Sequence, residues 1–199
     1  MIPKAIQKFI ELFSRLPSIG RRQATRLGFF IAQSGKENVK ELSHAVGELS
    51  KLKTCPDCFM THDNTDDFCS ICRDPSRNHA FVMVVEKETD LISLERTKKF
   101  HGRYLVLGEV KKDAILDQGQ KMKIENLKYR IKKEFGGPIE EIIIAFNPTT
   151  VGDLKALMLM KEFQGVVKRI TRLGRGIPTG GEIEFADEET LGSALDRRM

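Results

Sequence analysis

All four cysteines of this 199-residue chain fall in one stretch, CPDCFMTHDNTDDFCSIC, at positions 55–72. They form two C-x-x-C pairs with ten residues between them. Thiolates paired this way converge tetrahedrally on one Zn²⁺, each sulfur about 2.3 Å from the metal. The intervening FMTHDNTDDF is polar and turn-prone, so it loops out while the pairs meet. Two other readings stand beside this one. A C-x-x-C can be a redox dithiol, and His62 or His79 can replace a cysteine in the shell. Four cysteines already complete a shell, which favours Cys55, Cys58, Cys69 and Cys72 as ligands of a structural zinc. Such a site has no open position for water or substrate, so its metal is a brace and not a catalyst.

Reduced thiols fit an intracellular setting, and nothing in the chain marks export. The start, MIPKAIQKFIELF, is amphipathic and interrupted by Glu11, with no small-residue cleavage site after it. No apolar run approaches the roughly 18 residues that a membrane span needs. The expected location is therefore the cytoplasm, with no membrane partner. The net charge is +5, but its distribution is uneven. Residues 1–53 hold ten Lys and Arg against four Glu, whereas residues 54–80 hold two Arg against five Asp. A basic front end on a near-neutral body points to a polyanion engaged through the N-terminal segment.

Periodicity divides the chain into four parts. In residues 1–53, Ile6, Phe9, Ile10, Phe13 and Leu16 recur at helical spacing, with Pro17 expected to end that helix. LPSIG is then a tight connection. A second helix starts at Arg21 with Ala24, Leu27 and Ile31 inward, and Val39, Leu42, Val46 and Leu49 mark a third. The cysteine segment occupies 54–78. Over 79–170 the period changes: FVMVV, YLVLG, EIIIAF and VVKRITRL read as buried strands alternating with helical stretches. That alternation predicts a mostly parallel α/β sheet covered on both faces. Residues 171–199 are glycine-rich, then acidic, then one short helix.

The connection LPSIGRRQATRL carries Gly20, then Arg21, Arg22 and, one turn on, Arg26. A helix N-terminus offers free N–H groups and a positive dipole end to a phosphate oxygen. Glycine at the turn permits positive φ and a close approach of a sugar-phosphate backbone. Arg22 and Arg26 lie at i and i+4 and reach the same stretch of nucleic acid. Such contacts read phosphate and not bases, giving affinity without sequence preference and a steep salt dependence. A plain helical hairpin with a solvated arginine face is the competing reading. No aromatic residue interleaves with these arginines, so base stacking is not expected.

FVMVVEKETD places Glu86 at the C-terminal end of a strand and Asp90 one turn into the next helix, where open α/β sheets bind ligands. A Mg²⁺ site for phosphoryl transfer needs further carboxylates, typically an Asp-x-Asp pair. The neighbouring strand offers only Asn147 and, later, Asp153, and the chain contains no Asp-x-Asp. Glu86 therefore reads as a surface carboxylate or a partner contact. Gly176 to Gly181 has P-loop glycine spacing, but Glu182 stands where the motif requires lysine, so ATP hydrolysis is not expected.

In order along the chain, these pieces resemble the RecR family of bacterial recombination mediators. The resemblance is carried by LPSIG, by CPDC…CSIC with Arg77 after it, and by VVEKETDL. It continues through GRYLVLG, EEIIIAFNPT and TRLGRGIPTGGEIEFADEETL. It implies a multi-part α+β and α/β fold: a helix-hairpin-helix unit (1–53), a four-cysteine zinc finger (54–78), a Toprim-type α/β domain (79–170) and a short C-terminal segment (171–199). It also implies a non-enzymatic DNA-binding protein that forms a ring-like dimer or tetramer. Such a protein acts with RecO and RecF to load RecA on gapped DNA. Carried over by position, Arg22 and Arg26 are the family's DNA-contacting residues, beside Gly20 and Arg21 from the reading of the turn, the cysteines are the zinc ligands, and Glu86 is the Toprim glutamate. Glu86, Asp90 and Asp153 are the candidate RecO contacts. Two positions depart from the family pattern. Ser18 replaces the usual first hairpin glycine, and NPTTVGD has Val151 where a glutamate is usual.

Three functions are thus in play. The first is a DNA-binding scaffold with structural zinc. The second is a Mg²⁺-dependent Toprim nuclease or topoisomerase-like enzyme using Glu86, Asp90 and Asp153. The third is a zinc-stabilised interaction module whose basic face is incidental. The scaffold reading is favoured, because three scattered carboxylates do not supply an adjacent pair.

Overall fold

The computed structural model describes every residue except Met1, Arg197 and Met199. The chain divides into two compact units, Met1–Leu52 and Lys53–Met199. In the first, α1 (Lys4–Phe13), α2 (Arg21–Gln33) and α3 (Lys36–Glu48) are followed by one 3₁₀ turn, Leu49–Lys51. Ile6 and Ile10 of α1 and Ala24 of α2 are its buried core, with Phe13 and Ile19 packed around them. Gly28 lets the helices approach, since a Cβ there would lie 3.2 Å from both Ile6 Cγ2 and Phe9 Cδ1.

The apolar periodicity locates these helices but misplaces parts of their surfaces. α1 ends at Phe13, where the Ser14 N–H bonds back to the Ile10 carbonyl, well before Pro17. Leu27, expected inward, is exposed. No residue of α3 is buried; its stripe Val39, Leu42, Val46 and the following Leu49 faces solvent. Three short helices enclose too little volume to cover every apolar face.

The second unit is built on four parallel strands, in the order Gly102–Val106 (β4), Asn78–Val85 (β3), Ile139–Ala145 (β5) and Val167–Arg172 (β6) across the sheet. Helices α5 (Glu88–Arg96), α6 (Gln118–Phe135) and α7 (Thr150–Glu162) make the crossovers. Asp117 caps α6: its carboxylate accepts from the Gln120 N–H while the Gln120 side chain accepts from the Asp117 N–H, and Gly136 ends the helix at φ 63°.

Strand alternation sends each side chain to a defined face. Val82, Val84, Leu105, Leu107, Ile142 and Ile144 join Ile124, Leu127 and Ile131 of α6 and Leu159 of α7. Met83, Val85, Tyr104, Val106 and Ala145 join Leu91 of α5 together with Cys55, Cys58, Cys69 and Ile71. The cysteine segment therefore takes the place of part of a helical layer. Its own elements are small: a hairpin of β1 (Lys53–Thr54) with β2 (Thr61–His62), and the single-turn α4 (Ser70–Arg73). A 3₁₀ turn, Ile183–Phe185, and α8 (Glu188–Asp196) complete the described chain. Among the described residues, no helix is long and apolar enough to cross a membrane.

Candidate metal centre and candidate nucleic-acid interface

Each C-x-x-C sits on a tight turn that turns both sulfurs the same way. In the first, the Phe59 N–H bonds to the Cys55 carbonyl and the Cys55 N–H to the Met60 carbonyl. This requires Phe59 at φ 61°, a left-handed conformation that a bulky residue adopts only when held there. Its ring is held against the core beneath the Lys123 ammonium, 5.1 Å from the centroid. In the second pair, Cys69 caps α4 and its sulfur accepts from the Cys72 N–H at 3.4 Å.

The four sulfurs lie within 4.8 Å of one another, and Cys58 and Cys69 are 3.4 Å apart. A tetrahedral shell with 2.3 Å bonds sets sulfurs about 3.8 Å apart, so the donor set fits one ion. Hydrogen bonding from Cys58 pulls the Cys55 thiol well below its ordinary range, and hydrogen bonding with Cys55 pushes Cys72 far above its own. A cation binding here requires thiolates, so its binding would release protons from the cysteines. His62 is occupied elsewhere: Nε2 meets the Asp67 carbonyl at 3.0 Å and Nδ1 accepts from the Asn64 N–H. His79 pairs with Glu134.

Four ties fasten this segment to the sheet. The Val106 N–H of edge strand β4 donates to the Cys58 carbonyl at 2.8 Å, which extends the strand into the first cysteine turn. Arg130 of α6 spans the Asp57 carbonyl and carboxylate at 2.9 and 3.0 Å. Glu88 of α5 accepts from the Thr61 N–H at 2.6 Å. Arg77 pairs with Glu95 and donates to the Gly102 carbonyl.

The hairpin between α1 and α2 is electrostatically open by contrast. Gly20 is extended, with φ −79°, and caps α2; its N–H donates to the Gln23 side chain. The positive φ expected of it belongs instead to Ser18, at 62°. That is the left-handed region that favours glycine, so the serine there is strained. Nothing lies within 4 Å of where a Gly20 Cβ would stand, so the fold itself does not require glycine. That space is open to an approaching ligand. Arg21, Arg22 and Arg26 are exposed, and none pairs with a carboxylate among the described residues. The structure separates them. Arg21 shares a depression with Lys4 and Lys8 of α1. Arg26 lines a groove of about 510 Å³ with Ser18, Ile19, Gln23, Leu27 and Phe30.

No aromatic residue interleaves with the arginines, but Phe30, which follows them on α2, is 71% exposed and shares the groove of Arg26. The i+4 spacing from Arg26 was the available signal, obscured because an apolar residue on a helix is read first as core.

The three carboxylates of the sheet edge do not come together. The only convergent set of three or more His, Cys, Asp or Glu among the described residues is the four cysteines. Glu86 is not a surface carboxylate. It is 5% exposed, and its Oε1 accepts from Lys155 Nζ at 2.7 Å and from the Val110 N–H at 3.0 Å. Lys155, on α7, is itself buried, a partner that the sequence reading missed. Asp90 accepts from the Lys87 N–H and so closes the first turn of α5. Asp153 accepts from Arg172 and Arg175, each at 2.5 Å, and these guanidiniums hold its carboxyl below the usual range.

Family profiles match the chain on both sides of the cysteine segment, and whole-length relatives cover all of it. A profile described as "RecR, helix-hairpin-helix" matches residues 6–49, "Toprim domain" matches 80–173, and "RecR, C-terminal" matches 176–199. A Recombination protein RecR of Chloroflexus aggregans is 38% identical over 202 residues, covering 100% of this chain and 95% of that one. That of Roseiflexus castenholzii is 36% identical, with the same coverage. That of Paenarthrobacter aurescens is 36% identical and covers 100% of this chain and 98% of its own.

Proposed function

The chain belongs to the RecR family, a family of recombination mediators and not of enzymes, and from that premise we propose that it grips DNA through the α1–α2 hairpin. Gly20 gives access to the backbone, and Arg21, Arg22 and Arg26 contact phosphates. One observation carries this reading: these guanidiniums are exposed and unpaired among the described residues, with Arg21 and Arg22 opening a helix and Arg26 in its second turn. A surface that leaves three cations without partners suits a polyanion.

In the same reading the cysteines bind one structural Zn²⁺, and the protein works with RecO and RecF to load RecA on gapped DNA in recombinational repair. It acts in the cytoplasm and joins the nucleoid when bound to DNA. Residues 1–53 bind DNA, 54–78 brace the sheet, and 79–170 with 171–199 meet protein partners. Asp90 and Asp153 remain partner contacts in this scheme; Glu86, being buried, acts only through its neighbours. The chain forms a dimer or tetramer ring, supported by the exposed apolar stripe of α3, which a second copy would cover. A Mg²⁺-dependent reaction at Glu86 is disfavoured, because the Lys155 ammonium already occupies that carboxylate.

The test is a salt titration of DNA affinity for wild type and Arg22→Ala/Arg26→Ala, with folding and zinc content verified for both. The expected result is a large affinity loss with a salt slope shallower by about two phosphates' worth, roughly 0.9 per phosphate on duplex. Unchanged affinity and slope would place the DNA path elsewhere.

A further inference from the structure

We propose that Phe30 is a stacking platform for one unpaired base, so that the α2 groove selects single-stranded over double-stranded DNA. This rests on the phosphate-binding reading of the hairpin and extends it from backbone to base.

Arg22, Arg26 and Phe30 fall at i, i+4 and i+8, a single ridge whose neighbouring Cβ atoms lie about 6 Å apart. Phe30 and Arg26 line the same groove, together with the apolar Ile19 and Leu27. With 71% of its surface in water, the ring adds little to its own unit. Its place beside a free guanidinium is therefore better explained by a ligand that is anionic on one side and aromatic on the other. A nucleotide has that chemistry. In a duplex the base faces are already stacked, and only an unpaired base can lie on the ring.

Charge separates this surface from the other apolar face of the same unit. No acidic residue lines the groove of Arg26, whose polar lining is Ser18, Gln23 and the guanidinium itself. The α3 stripe instead runs along a helix that also carries Glu37, Glu41 and Glu48 with Lys36 and Lys40. A cationic apolar groove suits single-stranded nucleic acid, and a mixed-charge stripe suits another copy of the chain.

The experiment compares three labelled probes at one salt concentration: an oligothymidylate, an abasic oligodeoxynucleotide of equal length, and a duplex. Wild type should bind the abasic strand more weakly than the oligothymidylate. Phe30→Ala should lose roughly five- to a hundredfold affinity for oligothymidylate, with little change for the abasic strand or the duplex. Its salt slope should stay that of wild type, because no charge is removed. Phe30→Tyr should restore binding, and Phe30→Leu, apolar but without a π-face, should not. Equal wild-type affinity for the thymidylate and abasic strands would overturn the proposal. So would full activity of Phe30→Leu. A fall in sedimentation mass of Phe30→Ala with equal loss on all three probes would also overturn it, assigning the ring to self-association. If the arginine double variant still loses affinity in these cases, the phosphate reading stands without the stacking one.

Discussion

The two units handle charge in opposite ways. In residues 53–199 many of the buried or half-buried ions are matched, among them Glu86 with Lys155, Arg77 with Glu95, Arg130 with Asp57, and Asp153 with Arg172 and Arg175, while Glu88, Asp90 and Lys123 are held by backbone groups instead. In the helical unit the named pairs are exposed i,i+3 or i,i+4 contacts such as Lys8–Glu11, and the hairpin arginines stand unpaired among the described residues. Packing follows the same division. The sheet unit buries both of its faces, whereas the helical unit buries Ile6, Ile10 and Ala24 and leaves α3 uncovered. Ions that satisfy each other hold a shape, and ions left over are available to a partner. The first unit is therefore the place to look for ligands, and the second for stability.

The sharpest test is removal of the metal under reducing conditions. Metal binding to finger peptides supplies apparent free energies on the order of 10 kcal/mol. Here the cysteines share a core with Met83, Val85 and Leu91, so their loss opens one whole face of the sheet. Chelation, or Cys69→Ser, should destabilise the sheet unit by several kcal/mol. Amide exchange should first lose protection at Val106, whose N–H donates to the Cys58 carbonyl, while α1 and α2 keep theirs. Equal loss of protection in both units would break the contrast.

This cysteine-lined core also shows what was legible in advance. The cysteine spacing announced four converging sulfurs, because local turns alone bring each pair together. It did not announce that the sulfurs serve as one layer of the sheet's packing, which depends on where the chain folds back. Strand runs such as FVMVV and EIIIAF were readable because burial on both faces leaves a continuous apolar signature. Glu86 was misread for a related reason: Lys155 lies 69 residues away, and no local pattern joins them. The exposure of Arg21, Arg22 and Arg26 was readable because it follows from neighbouring positions on one helix. The direction of α3's stripe was not readable, since apolar periodicity gives a face but not what covers it.

Next in size is Lys155→Ala. It leaves a buried carboxylate without its cation, which costs about 3–5 kcal/mol. Glu86→Gln with Lys155→Met removes both charges and should recover most of that loss, as the introduced amide oxygen can still accept from the Val110 N–H. Chemical denaturation reads both variants. DNA affinity should not follow, since the effect is confined to the sheet unit. The arginine double variant should do the reverse, shifting affinity while moving stability by no more than about 0.5 kcal/mol. A Lys155→Ala protein of wild-type stability would mean that Glu86 is neutral or solvated, and the reason for rejecting a cation at that carboxylate would fall.

The smallest expected effect tests whether the matching of ions extends to the edge of the sheet unit. Asp153 is one-third exposed, and Arg175, one of its partners, also reaches Glu189 of α8. Hydrogen bonds from Arg175 and Arg172 hold the Asp153 carboxyl below its ordinary value of 3.8. A carboxyl lowered by folding contributes fully above its unfolded pKa and loses that contribution as pH falls through the folded one. At neutral pH, Asp153→Asn should therefore cost a few tenths to about 1 kcal/mol, the range for solvent-screened pairs. The gap from wild type should close as the pH drops below about 4. A gap that stays constant into acid would show that the carboxylate's charge contributes nothing there. Asp153 would then be as free for a partner as the hairpin arginines, and the division between the two units would not hold at this edge. If the gap closes as expected, a protein partner using Asp153 must first compete with two guanidiniums, which weakens any contact made there.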